Sequence, residues 1–139
     1  MIDQRLLKLA VETGKSRRKE LRKIAALPER FKDASFTDFH IDNADQQGVL
    51  DAVNRYADNF IDEHLPTGRC LVFTGAPGTG KTMLSCCLAN SIIDKTYASV
   101  EPDIKYGGHT INSYTYLALY RTEFKLLSKL KQTWRYDNK

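Results

Sequence analysis

Apolar residues recur at helical spacing in five stretches of the chain, and in a sixth they run without interruption. Ile2, Leu6, Leu9 and Ala10 predict a short amphipathic helix that Gly14 interrupts. Leu21, Ile24 and Ala25 predict a second helix from about Ser16 to Ala26, ended by Pro28. From Gln46 onward Leu50, Val53, Ala57, Phe60 and Ile61 share a face, while Asp51, Asn54, Arg55, Asp58 and Asp62 lie off it. Pro66, Thr67 and Gly68 stop that helix. Leu84, Leu88 and Ile92 form an i, i+4, i+8 row, with Met83, Cys87, Asn90 and Ser91 beside it. The uninterrupted run is Cys70-Leu71-Val72-Phe73-Thr74, the pattern of a strand buried on both faces of a parallel sheet. Between Arg30 and Asp45 no period is sustained, so Phe31, Phe36, Phe39 and Ile41 predict an irregular linker pinned by its aromatics. After Ile93, residues 96–108 read as a polar connection and His109 to Thr115 as a second strand. A last helix is expected on Tyr116, Leu117, Tyr120, Phe124, Leu127 and Leu130.

The predicted strand and the predicted helix after it enclose Gly75-Ala76-Pro77-Gly78-Thr79-Gly80-Lys81-Thr82, which meets the pattern G-x-x-x-x-G-K-[ST] at every fixed position. Glycines can take positive φ without a Cβ clash, so successive N–H groups can turn inward around phosphate oxygens. The following helix adds its unpaired N–H groups and the positive end of its dipole. Lys81 is the expected catalytic residue, its ammonium between β- and γ-phosphates, and the Thr82 hydroxyl is the expected Mg²⁺ ligand. The expected binding residues run from Gly75 through Met83, with ATP and Mg²⁺ as cofactors. A glycine-rich turn that binds nothing has no need of lysine and threonine after its last glycine.

Composition narrows the setting. The chain has 139 residues, 42% hydrophobic and 27% charged, which reads as globular and as one domain at most. No run approaches a membrane span, and the first residues include Asp3, Gln4 and Arg5 rather than the apolar core of a signal peptide. A cytoplasmic location without membrane contact is expected. Cys70, Cys86 and Cys87 have no metal spacing and read as reduced core residues, and His40, His64 and His109 are scattered. The net charge of +4 is uneven: +6 over residues 1–32, −7 over 33–66 and +5 over 67–139. Lys15, Arg17, Arg18, Lys19, Arg22 and Lys23 cluster around Glu20, which suits either phosphate contact with single-stranded DNA or a solvated helix face. Tyr106, Tyr114, Tyr116 and Tyr120 with Lys125, Lys129, Lys131 and Arg135 leave a similar choice between clamping bases and core packing.

The aromatic linker with Phe31, Phe36 and Phe39, the helix after it, the run from Gly68 to Thr82, and Leu88-Ala89-Asn90 together resemble the DnaC/IstB group of AAA+ ATPases. That group includes replicative-helicase loaders and transposition helper proteins. The resemblance covers roughly residues 31–95. It implies an α/β P-loop NTPase fold of AAA+ type with a parallel sheet, carried here as residues 31–139 and truncated before Walker B. Residues 1–30 would form a basic helical leader. It also implies an ATP-bound homo-oligomer that delivers a hexameric helicase to single-stranded DNA, with the linker near Phe36 passing close to the adenine. The chain departs from the group in two places. Met83 stands where many relatives have histidine, and no apolar run ending in Asp-Glu follows Ile93. Sensor and arginine-finger residues are absent too. A transposition helper and a non-hydrolysing nucleotide- or partner-binding fragment are the alternatives.

Overall fold

The computed structural model describes residues 3–137, with side chains up to residue 134. Ile2 and the Arg135 side chain, both used in the readings above, lie outside the described residues. Among the described residues five helices form: α1 (Gln4–Ala25), α2 (Ala44–Asp58), a single turn α3 (Leu65–Thr67), α4 (Lys81–Asp94) and α5 (Glu123–Asp137). Two strands, β1 (Tyr97–Asp103) and β2 (Gly108–Tyr114), pair with each other. Two 3₁₀ turns, Glu29–Phe31 and Phe36–Asp38, shape the linker, and a π turn, Phe60–His64, extends α2. None of the described helices is long and apolar enough to cross a membrane.

The leader is one 22-residue helix rather than two. Asp3 caps its start by accepting the Arg5 N–H, and Gly14 sits inside it where β1 crosses. A Cβ at Gly14 would lie 3.3 Å from the Ala98 nitrogen and 3.6 Å from the Tyr97 Cα, so the glycine permits a close approach instead of breaking the helix. At the far end Ala26 turns left-handed, and the Tyr120 N–H closes the free carbonyl of Ala25 at 2.8 Å. Leu21 and Ala25 of α1 pack on Ile93 of α4, with Leu27 and Ala118 against them; this is the buried centre of the molecule. The Arg18 guanidinium donates to the Thr96 carbonyl at 2.7 Å and Arg22 pairs with Asp94, which ties α1 to the end of α4.

The expected α/β P-loop fold of AAA+ type with a parallel sheet does not form: the described residues are mainly helical, and among them the only sheet is the antiparallel pair β1–β2, with Val100 opposite Ile111. Turn chemistry explains the change. A parallel partner would require a long crossover, whereas the Asp103 carboxylate accepts the N–H groups of Lys105 and Tyr106 at 2.9 and 3.2 Å. Gly107, at φ 67°, donates its N–H to the Asp103 carbonyl at 2.8 Å, so the chain returns at once. The connection expected over 96–108 is thus mostly strand and hairpin turn. The strand expected at 109–115 exists, but its partner is its immediate predecessor. Residues 70–74 find no ladder and form no strand. Leu71 and Phe73 turn half inward while Cys70 and Val72 are exposed, so this run is apolar without being covered on both faces. The last helix begins at Glu123, and residues 116–121, expected to open it, are not helical.

Cys86 and Cys87 are buried as expected, and burial pushes the Cys87 thiol up to about 11. Cys70 is exposed. Iodoacetamide at neutral pH should therefore modify one thiol, Cys70, in the folded chain and three in denaturant. Equal labelling of all three in the native state would contradict this packing.

Candidate functional site

The linker and the 75–82 loop meet at the start of α4. Asn43 caps α2 by accepting the Gln46 N–H at 2.9 Å, and Leu50, Val53 and Ala57 bury the face of α2 that packs on α4. The linker is held to α4 by a buried side chain: the Asn90 amide donates to the carbonyls of Lys32 at 3.1 Å and Ala34 at 3.0 Å. The Asp38 carboxylate accepts the Ser35 backbone N–H and the Ser35 hydroxyl at 2.8 and 2.9 Å, and these bonds hold it below the usual carboxylate range. The next residue, Phe39, lies against Gly80.

The loop itself is built as its residue types allow. Gly75, Gly78 and Gly80 all have positive φ. Thr79 donates its hydroxyl to the Ala76 carbonyl at 2.8 Å, closing a tight turn. Lys81, the first residue of α4, folds back over the loop, and its ammonium donates to the carbonyls of Gly75 and Ala76 at 2.8 and 2.6 Å. Gly80 stands at the N-cap and has no side chain to offer, so no side-chain oxygen meets the first N–H groups of α4. Residues 75–79 and Thr82 are exposed, whereas Gly80, Lys81 and Met83 are half-buried. Met83 faces the linker in a 440 Å³ depression shared with Phe31 and Asp38. Phe36 lines a different hollow of 440 Å³ with Asn54, Asn90 and Asp94, toward the other end of α4.

The geometry therefore gathers Gly75 through Met83 into one loop and helix start. Donor N–H groups and the Lys81 ammonium share it with the carbonyls of Gly75 and Ala76, which an anion's oxygens could replace as partners of Lys81. Phosphate oxygens fit this donor set, since each is an acceptor and the helix end favours negative charge. The sequence did not disclose the part played by Asn90 or the contact of Phe39 with Gly80. A polar residue on the apolar face of α4 was the available signal for Asn90; for Phe39 there was none.

A Cβ added at Gly80 would sit 2.7 Å from the Phe39 ring at a φ of 91°. Gly80→Ala should cost about 1–3 kcal/mol of stability, read as a lower denaturant midpoint. Gly48→Ala is the control: in mid-helix with nothing within 4 Å, it should be neutral or stabilising. Equal effects of the two would refute the close approach of Phe39.

Two curated relatives match part of the chain. Replicative helicase loader DnaC of Buchnera aphidicola subsp. Schizaphis graminum is 33% identical over 69 residues, and DnaC of Buchnera aphidicola subsp. Acyrthosiphon pisum is 33% identical over 69 residues as well. Half of this chain is similar to DnaC. The match takes in 50% of this chain and 26% of each relative, so the chain spans about a quarter of their length. No family model and no solved structure matches it significantly.

Proposed function

We propose that this chain binds ATP with Mg²⁺ through residues 75–83 and serves DNA replication as an accessory of a hexameric helicase. The loop carries the reading: positive-φ glycines lead into an uncapped helix start with Lys81 turned into the loop. In it, backbone N–H groups of the loop and of α4 hold the phosphates and Lys81 neutralises them. Thr82 would offer its hydroxyl to Mg²⁺, which would supply positive charge to screen the phosphates. Phe39 and Asn90 act as positioning residues by fixing the linker against α4. The similarity to DnaC supports the choice of helicase as partner.

Size-exclusion chromatography with light scattering, on the chain mixed with a replicative helicase hexamer, tests the partner. Co-elution that strengthens with Mg²⁺-ATP is expected. Independent elution under both conditions would remove the helicase from the reading.

A further inference from the structure

Helix α5 turns its polar side toward the rest of the chain and its apolar side to solvent. Lys125, Ser128, Lys129 and Gln132 line a groove of about 660 Å³ together with Ala26 and Pro28, just past the end of α1. Ser128 is the one half-buried residue among positions 123–134. On the other side Leu126, Leu127, Leu130 and Trp134 fall at i, i+1, i+4 and i+8, and they are 52, 46, 45 and 69% exposed. They form a row about 12 Å long, which Phe124 borders. α5 makes no extensive contact with another described helix or strand, so the described fold leaves the row uncovered. Positive charge accompanies it. By helical spacing Lys129 stands on one border and Lys131 on the other, and neither pairs with a described carboxylate. Glu123, one turn before Leu127, is the only carboxylate among the described side chains of α5.

We propose that α5 lies along the surface of an anionic lipid bilayer, with its leucines and Trp134 at the boundary of headgroups and acyl chains and its bordering lysines on lipid phosphates. Two features select this occupant. The row holds no polar side chain, so it asks its partner for no matching hydrogen bond, and the charge on its borders has one sign, so the partner is negative. A bilayer with anionic headgroups offers both at once, its negative charge lying directly over its apolar layer. Trp134 suits that boundary, because an indole has an apolar body and a single N–H donor. A second copy is the poorer fit, since pairing this face with itself would set Lys129 and Lys131 against the same lysines. That no described helix can cross a membrane bears on spanning alone; a helix lying in the interface needs no such length. The inference is independent of the nucleotide reading, because α5 shares no residue with the 75–83 loop.

Trp134 is the single tryptophan of the chain, so its emission reports on α5 alone. Vesicles of phosphatidylcholine mixed with phosphatidylglycerol, titrated into the full 139-residue chain, should shift that emission to the blue and carry the chain into the vesicle pellet. Vesicles of phosphatidylcholine alone should bind at least about tenfold more weakly, and added salt should narrow the difference. Lys129→Gln with Lys131→Gln should weaken partitioning into the anionic vesicles about twenty-five-fold, roughly fivefold per lysine. Leu127→Gln with Leu130→Gln should weaken it by more than about tenfold and leave the thermal midpoint where it was, because both leucines are exposed. Ile104→Gln, at the apolar residue of the hairpin turn that is 96% exposed, should change nothing. Equal binding to the two kinds of vesicle, no pelleting with the anionic ones, or partitioning untouched by the leucine changes would overturn the proposal. So would a lowered midpoint of the leucine variant, which would give these side chains to the fold. A dimer in light scattering that the same changes dissolve would give the face to a second copy and overturn it as well.

Discussion

Lys81→Ala is expected to abolish the stabilisation that Mg²⁺-ATP gives the wild-type chain. A ligand at a hundred times its dissociation constant stabilises the folded state by about 2.7 kcal/mol. For a chain of this size that corresponds to a rise of about 10 °C in unfolding midpoint. The variant loses the ammonium proposed to face the phosphates, but little else. Its partners are the exposed carbonyls of Gly75 and Ala76, which water can take over, so the unliganded stability should change by no more than about 0.5 kcal/mol. Thermal unfolding with and without Mg²⁺-ATP reads both quantities. An equal ATP-dependent shift in wild type and variant would show that Lys81 does not meet the nucleotide.

The other large effect is expected at the centre of the fold. Ile93 is fully buried between Leu21 and Ala25, in the last turn of the helix that the 75–82 loop begins. Ile93→Ala should cost about 2–5 kcal/mol through lost burial and the cavity left behind. Whole-domain stability is about 5–15 kcal/mol, so this one change takes a large share of it. It should also loosen α1, because the helix rests on Ile93 as well as on the pairs Arg18–Thr96 and Arg22–Asp94. The denaturant midpoint measures the loss. A change below about 1 kcal/mol would mean that the α1–α4 contact is not the centre of the molecule. Double replacement of Ile93 and Leu21 should cost less than the sum of the two single changes, since they share one cavity.

Much of the helical framework was legible because helices are written locally. Leu50, Val53 and Ala57 marked the buried face of α2 within two residues of its observed start, and α4 begins at Lys81, directly after the last glycine of the loop. The positive φ values of Gly75, Gly78 and Gly80 also followed from residue type. What failed depended on partners distant in sequence. Gly14 looks like a helix break until Ala98 is placed 3.3 Å from where its Cβ would be. Residues 70–74 carry the composition of a buried strand, yet composition reports apolarity and not whether a neighbour offers hydrogen bonds. Pro102 and the polar residues around it concealed β1, whose outer edge carries Glu101. That carboxylate is held below its usual range first by the Tyr114 hydroxyl, then by Asn112 and Ser99. Cross-strand bonds of this kind cannot be seen along one strand alone. The basic cluster reads differently for the same reason: the sequence shows six cations together, and only the fold shows that Arg18 bonds to Thr96 and Arg22 to Asp94.

We propose that residues 75–83 hold a nucleoside triphosphate by its phosphates. Calorimetric titration of the 139-residue chain with ATP and with AMP, both with Mg²⁺, tests it most directly. Saturable binding of one ATP per chain, weakened when Mg²⁺ is withdrawn and absent with AMP, is the predicted result. No heat of binding with ATP, or equal affinity for AMP, would contradict it.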